Sequence, residues 1–334
     1  MGGALLVDGR RCRRLSHCVE RYLSFHICFY DFGNDCGGAR RGRFCFTIMK
    51  GRMKMKRIFA LALALLLVFS LAACSGDDEV PSGVEDGVLT IAMECAYAPY
   101  NWTQTDDSNG AVPIKDSTEY ANGYDIMIAK MICEANDWEL EVIRTDWDSL
   151  VPGVQSGIYD AVIAGQSMTA DRMEQVDFAG PYFYASIVCV TKTDSPYASA
   201  TGLSDLAGGT CTAQIATVWY DSMLPQIEGV QIQTAAETAP AMLMALETGT
   251  VDFICTDMPT AMGAVAAYPD MVILDFSDSD DGFEVDEGEI NIGISVMKGN
   301  TILKDAIDSV LSTMTEEDFT ELMNEAIAIQ PLSE

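Results

Sequence analysis

After residue 57 the chain carries seven Lys and Arg against 46 Asp and Glu, and only two of the seven are arginines, Arg144 and Arg172. Arg172 closes the stretch AGQSMTADR, residues 164–172. A guanidinium in such surroundings has two uses. It pairs with a surface carboxylate, which is worth about 0–1 kcal/mol, or it waits for an anion from outside. Asp257, in VDFICTDMPTA, has a local use: Pro259 follows closely, and aspartate is favoured at the N-cap of a helix with proline in its first turn. Both histidines, His17 and His26, lie before residue 57. Ser-His-Asp and Cys-His catalysis and most zinc chemistry are therefore excluded from the rest of the chain. No metal or cofactor is expected.

The acidic body repels phosphate backbones, which proteins grip with clustered Lys and Arg, so nucleic acid is an unsuitable partner. The first 57 residues differ sharply, with 13 Lys and Arg, four Asp and Glu, and five of the eleven cysteines. Their Cys12, His17, Cys18, His26 and Cys28 lack the close cysteine pair of a zinc site. From Met53, MKMKRIFALALALLLVFSLAACSGDDEV reads as a basic segment, an apolar run from Ile58 to Leu71, small residues and then Cys74. The run falls short of the ~20 residues that span a bilayer, so a signal peptide is expected. Leu71-Ala72-Ala73-Cys74 resembles a bacterial lipobox, which implies cleavage before Cys74 and a lipid on its sulfur. A signal peptide must lead the chain, so residues 1–52 are read as an upstream stretch, with synthesis starting at Met53 or Met55. The five later cysteines, 95, 133, 189, 211 and 255, lie mostly in apolar runs and read as buried thiols.

Apolar strands alternate with amphipathic helices, the pattern of an α/β protein. GVLTIAME (87–94), ELEVIRT (139–145) and YDAVIAG (159–165) read as strands; YDIMIAKMICEAND (124–137) and DSLVPGVQSG (148–157) read as helices. A second cycle begins near residue 205 and ends at MVILDF, followed by EINIGISVMKG (289–299) and two closing helices. Thr315 and Asp318 form an acidic capping box for the last helix. VQSGIYDAVIAGQ (154–166) and LETGTVDFICTDM (246–258) echo each other at an offset of 92 positions. In both, a glycine suited to closing a helix, Gly157 or Gly249, precedes an apolar strand. Two similar lobes are implied, with Gly165 and Asp257 at strand ends, where ligands bind in such sheets.

Taken together and in order, AYAPYNW (96–102), GYDIMIAKMI (123–132), TDWDSLVPGVQSGIYDAVIAGQSMTADRMEQVDFAGPYF (145–183), VDFICTDMPTA (251–261) and NIGISVMKGN (291–300) resemble the extracellular amino-acid-binding proteins of ABC importers. That family, which includes glutamine- and lysine/arginine/ornithine-binding proteins, is bacterial solute-binding protein family 3. The resemblance runs from about Gly87 to Ile329. It implies a two-lobed periplasmic-binding-protein fold, with hinges near IVCVTK (187–192) and INIGISV (290–296). The expected organisation is an acidic tether over 74–86, the first part of lobe 1 over 87–188, lobe 2 over 189–288, and the return to lobe 1 over 289–334.

The resemblance also assigns roles. Arg172 is expected to clamp a ligand's α-carboxylate bidentately, with the Gly165 N–H and the Ser167 hydroxyl completing the grip. Asp257 takes the α-ammonium. The turn Gln214-Ile215-Ala216-Thr217 offers backbone N–H groups to the carboxylate, although Thr217 also suits a helix cap. Tyr97 and Trp147 flank the ligand side chain, where core packing is the competing use of both rings. Glu94 faces the distal end, favouring a basic or amide side chain.

Between Trp102 and Gly123 the chain inserts TQTDDSNGAVPIKDSTEYAN, which lies close in sequence to Tyr97 and is expected at the pocket mouth. The expected function is a monomeric lipoprotein on the outer face of the cell membrane, or in the periplasm, that passes a polar L-amino acid to the permease of an ABC importer. A dehydratase-like enzyme on the same fold, with Glu94 or Asp257 as general acid or base, and an extracytoplasmic sensor are the alternatives.

Overall fold

The computed structural model describes residues 80–331. The signal peptide, Cys74 and the tether as far as residue 79 lie outside the described residues. Among the described residues no helix is long and apolar enough to cross a membrane.

Two five-stranded sheets of the same design organise the chain. In the first, Val88–Met93 lies between Glu139–Arg144 and Ala161–Ser167, all parallel. Asn291–Val296 then runs antiparallel between Ala161–Ser167 and Asp177–Tyr184. In the second, Thr210–Thr212 lies between Gln231–Ile232 and Phe253–Asp257, again parallel. Ile187–Lys192 runs antiparallel between Phe253–Asp257 and Met271–Leu274. The repeated segments thus occupy equivalent strands, Ala161–Ser167 and Phe253–Asp257, each buried along its whole length. Gly157 and Gly249 before them have φ of +67° and +70°, the left-handed conformation that glycine adopts without a Cβ penalty.

The strands expected as hinges each belong wholly to one sheet. The chain crosses just ahead of them, between Tyr184 and Ile187 and in the segment that leads into Asn291. The two crossings touch, because the Ala185 N–H donates to the Ile290 carbonyl at 2.8 Å.

The helix Tyr124–Asn136 packs one side into the first core through Tyr124, Ile128 and Ile132, a spacing that places them on one face. It begins at Gly123, φ +125°, where a Cβ would stand 2.3 Å from the Tyr100 carbonyl oxygen; glycine is required there. Thr315 and Asp318 make the reciprocal capping box at the start of Glu316–Ile329.

The insertion builds regular structure of its own. Its residues contribute to a small antiparallel sheet in the order Ala96–Tyr97, Asn101–Gln104, Tyr120–Asn122, Val112–Pro113. Glu119 in it pairs with Arg144 at 2.7 Å, both side chains well exposed. None of residues 103–122 lines the cleft cavity described below. The backbone pairing of these short strands, with the Lys115 N–H donating to the Val142 carbonyl at 2.8 Å, anchors the segment to its own hairpin and to the edge of the first sheet.

Candidate functional site

The site assembles where parallel strands of both sheets end. Val88–Met93 leads into Glu94 and, three residues later, Tyr97. Trp147 follows Glu139–Arg144 in a single 3-10 turn. Ala161–Ser167 carries Gly165 and Ser167, and Thr169 then caps the helix Ala170–Gln175, so that Arg172 sits in its first turn. From the second sheet, Thr210–Thr212 leads into Gln214 and Thr217, and Phe253–Asp257 ends on Asp257.

Seven of the nine ligand-binding residues chosen from sequence line one cavity of about 10 Å³: Tyr97, Trp147, Gly165, Ser167, Arg172, Gln214 and Thr217. Glu94 and Asp257 stand directly behind it, each hydrogen-bonded to a lining side chain. Gln214 Nε2 donates to Glu94 Oε2 at 3.0 Å, and the Tyr97 hydroxyl donates to Asp257 Oδ2. The second carboxylate oxygen of Asp257 accepts the Thr260 N–H at 2.8 Å. The local cap and the place in the cleft are thus held by the same residue through different oxygens.

Arg144 and Arg172 have opposite circumstances. Arg144 meets Glu119, whereas Arg172 makes no ion pair among the described residues. Its Nη1 donates to the Ser167 carbonyl at 2.9 Å and its Nη2 to the Ala216 carbonyl at 3.0 Å. The Trp147 ring lies under the guanidinium, 5.5 Å from centroid to Cζ, a stacking that orients it. Burial lowers the guanidinium to about 10, with Asp221 acting in the opposite direction, so the group stays cationic at neutral pH.

Two expected contacts take a different form. The Gly165 N–H donates to the Tyr182 hydroxyl at 2.9 Å, inside a buried network in which Tyr182 donates to Asp125 at 2.6 Å and Asn101 donates to the same carboxylate at 2.7 Å. It is therefore engaged within the protein. What Gly165 supplies is space: its φ is +63°, and a Cβ would lie 2.6 Å from Tyr97 Cε1. In the turn 214–217, the Ile215 N–H bonds to the Ala236 carbonyl at 2.8 Å. The turn presents its Ala216 carbonyl to Arg172 and, at 3.3 Å, to Trp147 Nε1. Thr217 behaves as a cap, donating to the Gln214 carbonyl at 2.7 Å and accepting the Tyr220 N–H at 3.4 Å.

Val218 and Trp219 also line the cavity, and sequence reasoning missed both. The Trp219 ring lies 5.7 Å from that of Tyr97, tilted by 54°. Tyr97 itself stacks on Tyr100 at 4.7 Å, so its ring serves both the core and the cavity wall. The signal for Trp219 was available in one respect: it lies two residues after a turn already assigned to the cleft.

The acids here are dry. Burial pushes Asp257 up to about 6, against hydrogen bonds from Tyr97 and Thr260 that lower it. Burial raises Glu94 as well; the Gln214 bond counters this and Asp146 adds to it. On the outer side of Arg172 an open pocket of about 520 Å³ carries the carboxylates of Asp171, Asp221, Asp286 and Glu289. Among the described residues no cluster of His, Cys, Asp or Glu is arranged to hold a metal ion, and all five cysteines are buried and free.

Residues 89–327 match the model of bacterial extracellular solute-binding proteins, family 3. The chain belongs to this family. An arginine-binding extracellular protein of Bacillus subtilis is 30% identical over 166 residues, which make up 49% of this chain and 58% of that protein. A probable histidine-binding protein of Neisseria gonorrhoeae is 27% identical over 275 residues, 77% of this chain and 91% of that one. Among solved structures, an ancestral arginine-binding protein bound to glutamine aligns with a TM-score of 0.58 at 27% identity, covering 72% of this chain and 97% of that one. The fold is the two-lobed periplasmic-binding-protein fold. These family 3 relatives are binding proteins, and the chain is a solute-binding protein rather than an enzyme such as a dehydratase.

Proposed function

We propose that the protein captures a polar L-amino acid outside the cell and delivers it to the permease of an ABC importer, tethered to the membrane through lipidated Cys74. The observation that carries this reading is that Arg172, a guanidinium with no acid partner among the described residues, lines the cavity whose wall residue Tyr97 donates to the buried carboxylate of Asp257, which ends a strand of the second sheet. A cation lining the cavity and a buried anion bonded to another of its lining side chains suit the two charged ends of an α-amino acid. In this reading Arg172 and Ser167 hold the carboxylate, Asp257 the ammonium, and Tyr97, Trp147 and Trp219 wall the side chain.

Glu94 favours a side chain with a distal donor, cationic or amide. The carboxylates around the outer pocket work in the same direction, because a negative cleft mouth attracts cations and repels anions. The names of the relatives agree in kind: one binds arginine, another is a probable binder of histidine, and an ancestral arginine-binding protein was solved with glutamine.

A thermal-shift screen of the twenty L-amino acids tests the ligand class, since tight binding raises apparent stability by mass action. Arginine, lysine or glutamine should give the largest shift and aspartate and glutamate none. A largest shift from an acidic or a small apolar amino acid would refute the role of Glu94. For the tether, mass spectrometry of native protein extracted from membranes should find Cys74 as the lipidated first residue. Native peptides from residues 1–52 would sink that assignment.

A further inference from the structure

Two acids of the cleft are bonded by neutral groups of the chain itself. Tyr97 gives its hydroxyl hydrogen to Asp257, and Gln214 gives an amide hydrogen to Glu94 at 3.0 Å. In both bonds the partners come from opposite sheets, since Glu94 and Tyr97 follow the strand Val88–Met93 whereas Gln214 and Asp257 follow or end strands of the second. All four residues are at most 8% exposed. A carboxylate in such a dry place bonds strongly to whatever donor reaches it. The cavity between them, about 10 Å³, holds roughly one water, so an amino acid enters only when these side chains separate.

We propose that Tyr97 and Gln214 are specificity-determining residues that act as internal competitors, the Tyr97 hydroxyl against a ligand's α-ammonium for Asp257, and the Gln214 amide against a ligand's distal donor for Glu94. This rests on the reading of the cleft as an amino-acid site. A ligand carrying both donors replaces both internal bonds, and with charge-assisted ones where the donor is cationic. A ligand carrying only the ammonium lets the Glu94–Gln214 bond re-form beside it and gains nothing at Glu94. Discrimination therefore comes from the bond that must be broken as well as from the one that is made. The competition also lowers apparent affinity by the fraction of molecules in which the bonds are open.

Tyr97→Phe in the full chain keeps the ring and its stack on Tyr100 and removes only the hydroxyl. Small-angle scattering of the protein alone should give a larger radius of gyration than wild type, and Asp257→Asn, which weakens the same bond from its other end, should move in the same direction. In calorimetric titrations of Tyr97→Phe, L-arginine and L-norleucine, the latter lacking a distal donor, should both bind roughly tenfold more tightly, as loss of one competing bond to a charged acceptor implies. Their ratio should stay unchanged. Gln214→Met should tighten L-arginine alone and widen the ratio. Unchanged scattering together with equal or weaker binding by Tyr97→Phe would overturn the proposal, because a tyrosine that merely contacts the ligand gives that result. Altered scattering with no binding of either amino acid by wild type would overturn the amino-acid reading and leave the Tyr97–Asp257 latch standing.

Discussion

Arg172→Ala is expected to weaken binding of the amino-acid ligand by about 2–5 kcal/mol, the usual effect of stripping one partner from a buried, hydrogen-bonded charge pair. In the structure both arms of this guanidinium rest on neutral carbonyls, those of Ser167 and Ala216. A carboxylate is a stronger acceptor than either, and its two oxygens match the fork of the guanidinium. Trp147 beneath it limits its rotation, so little orientational freedom is lost on binding. Arg172→Lys should recover only part of the affinity, because an ammonium keeps the charge and loses the bidentate geometry. Titration calorimetry measures both variants, and an unchanged affinity in Arg172→Ala would remove the arginine from the site. The thermal midpoint without ligand should fall as well, since two charge-assisted bonds to carbonyls and the stack on Trp147 are lost.

The second large effect concerns Asp257 and pH. Its carboxyl is raised by burial to about 6, above the unfolded value of about 3.9. A group raised in this way contributes stability that is full below the unfolded value and is lost as pH rises through about 6. The difference amounts to on the order of 3 kcal/mol. Ligand binding has the opposite dependence, because the α-ammonium pairs with the ionised acid. The stabilisation conferred by ligand should therefore grow between pH 5 and pH 8, and Asp257→Asn should both flatten that growth and weaken binding by about 2–5 kcal/mol. Asp125, raised by burial to about 7, titrates over an overlapping range. Comparing wild type with the variant cancels its contribution. Thermal midpoints with and without ligand at the two pH values check the result, and an equal ligand shift at both in wild type would exclude Asp257 as the ammonium's partner.

Much of this was legible in sequence because it is local. The strand and helix periods, the left-handed Gly157 and Gly249, the caps at Asp257 and Thr315, and the echo that makes Ala161–Ser167 and Phe253–Asp257 equivalent are set by neighbours a few residues apart. An echo of that kind suffices to place Gly165 and Asp257 at corresponding positions of equivalent strands, although the first strand continues to Ser167, and the scarcity of arginine singles out Arg172. Packing decided the rest. Tyr97 meets Asp257 across 160 positions and Gln214 meets Glu94 across 120, and no periodicity specifies which donor faces which acid over such separations. Whether the Gly165 N–H points toward Tyr182, whether Trp219 fills core or cavity wall, and which strands the insertion pairs with all depend on how two sheets and their loops close-pack. Side-chain direction at a strand end is fixed by the element opposite, and that element is distant in the chain.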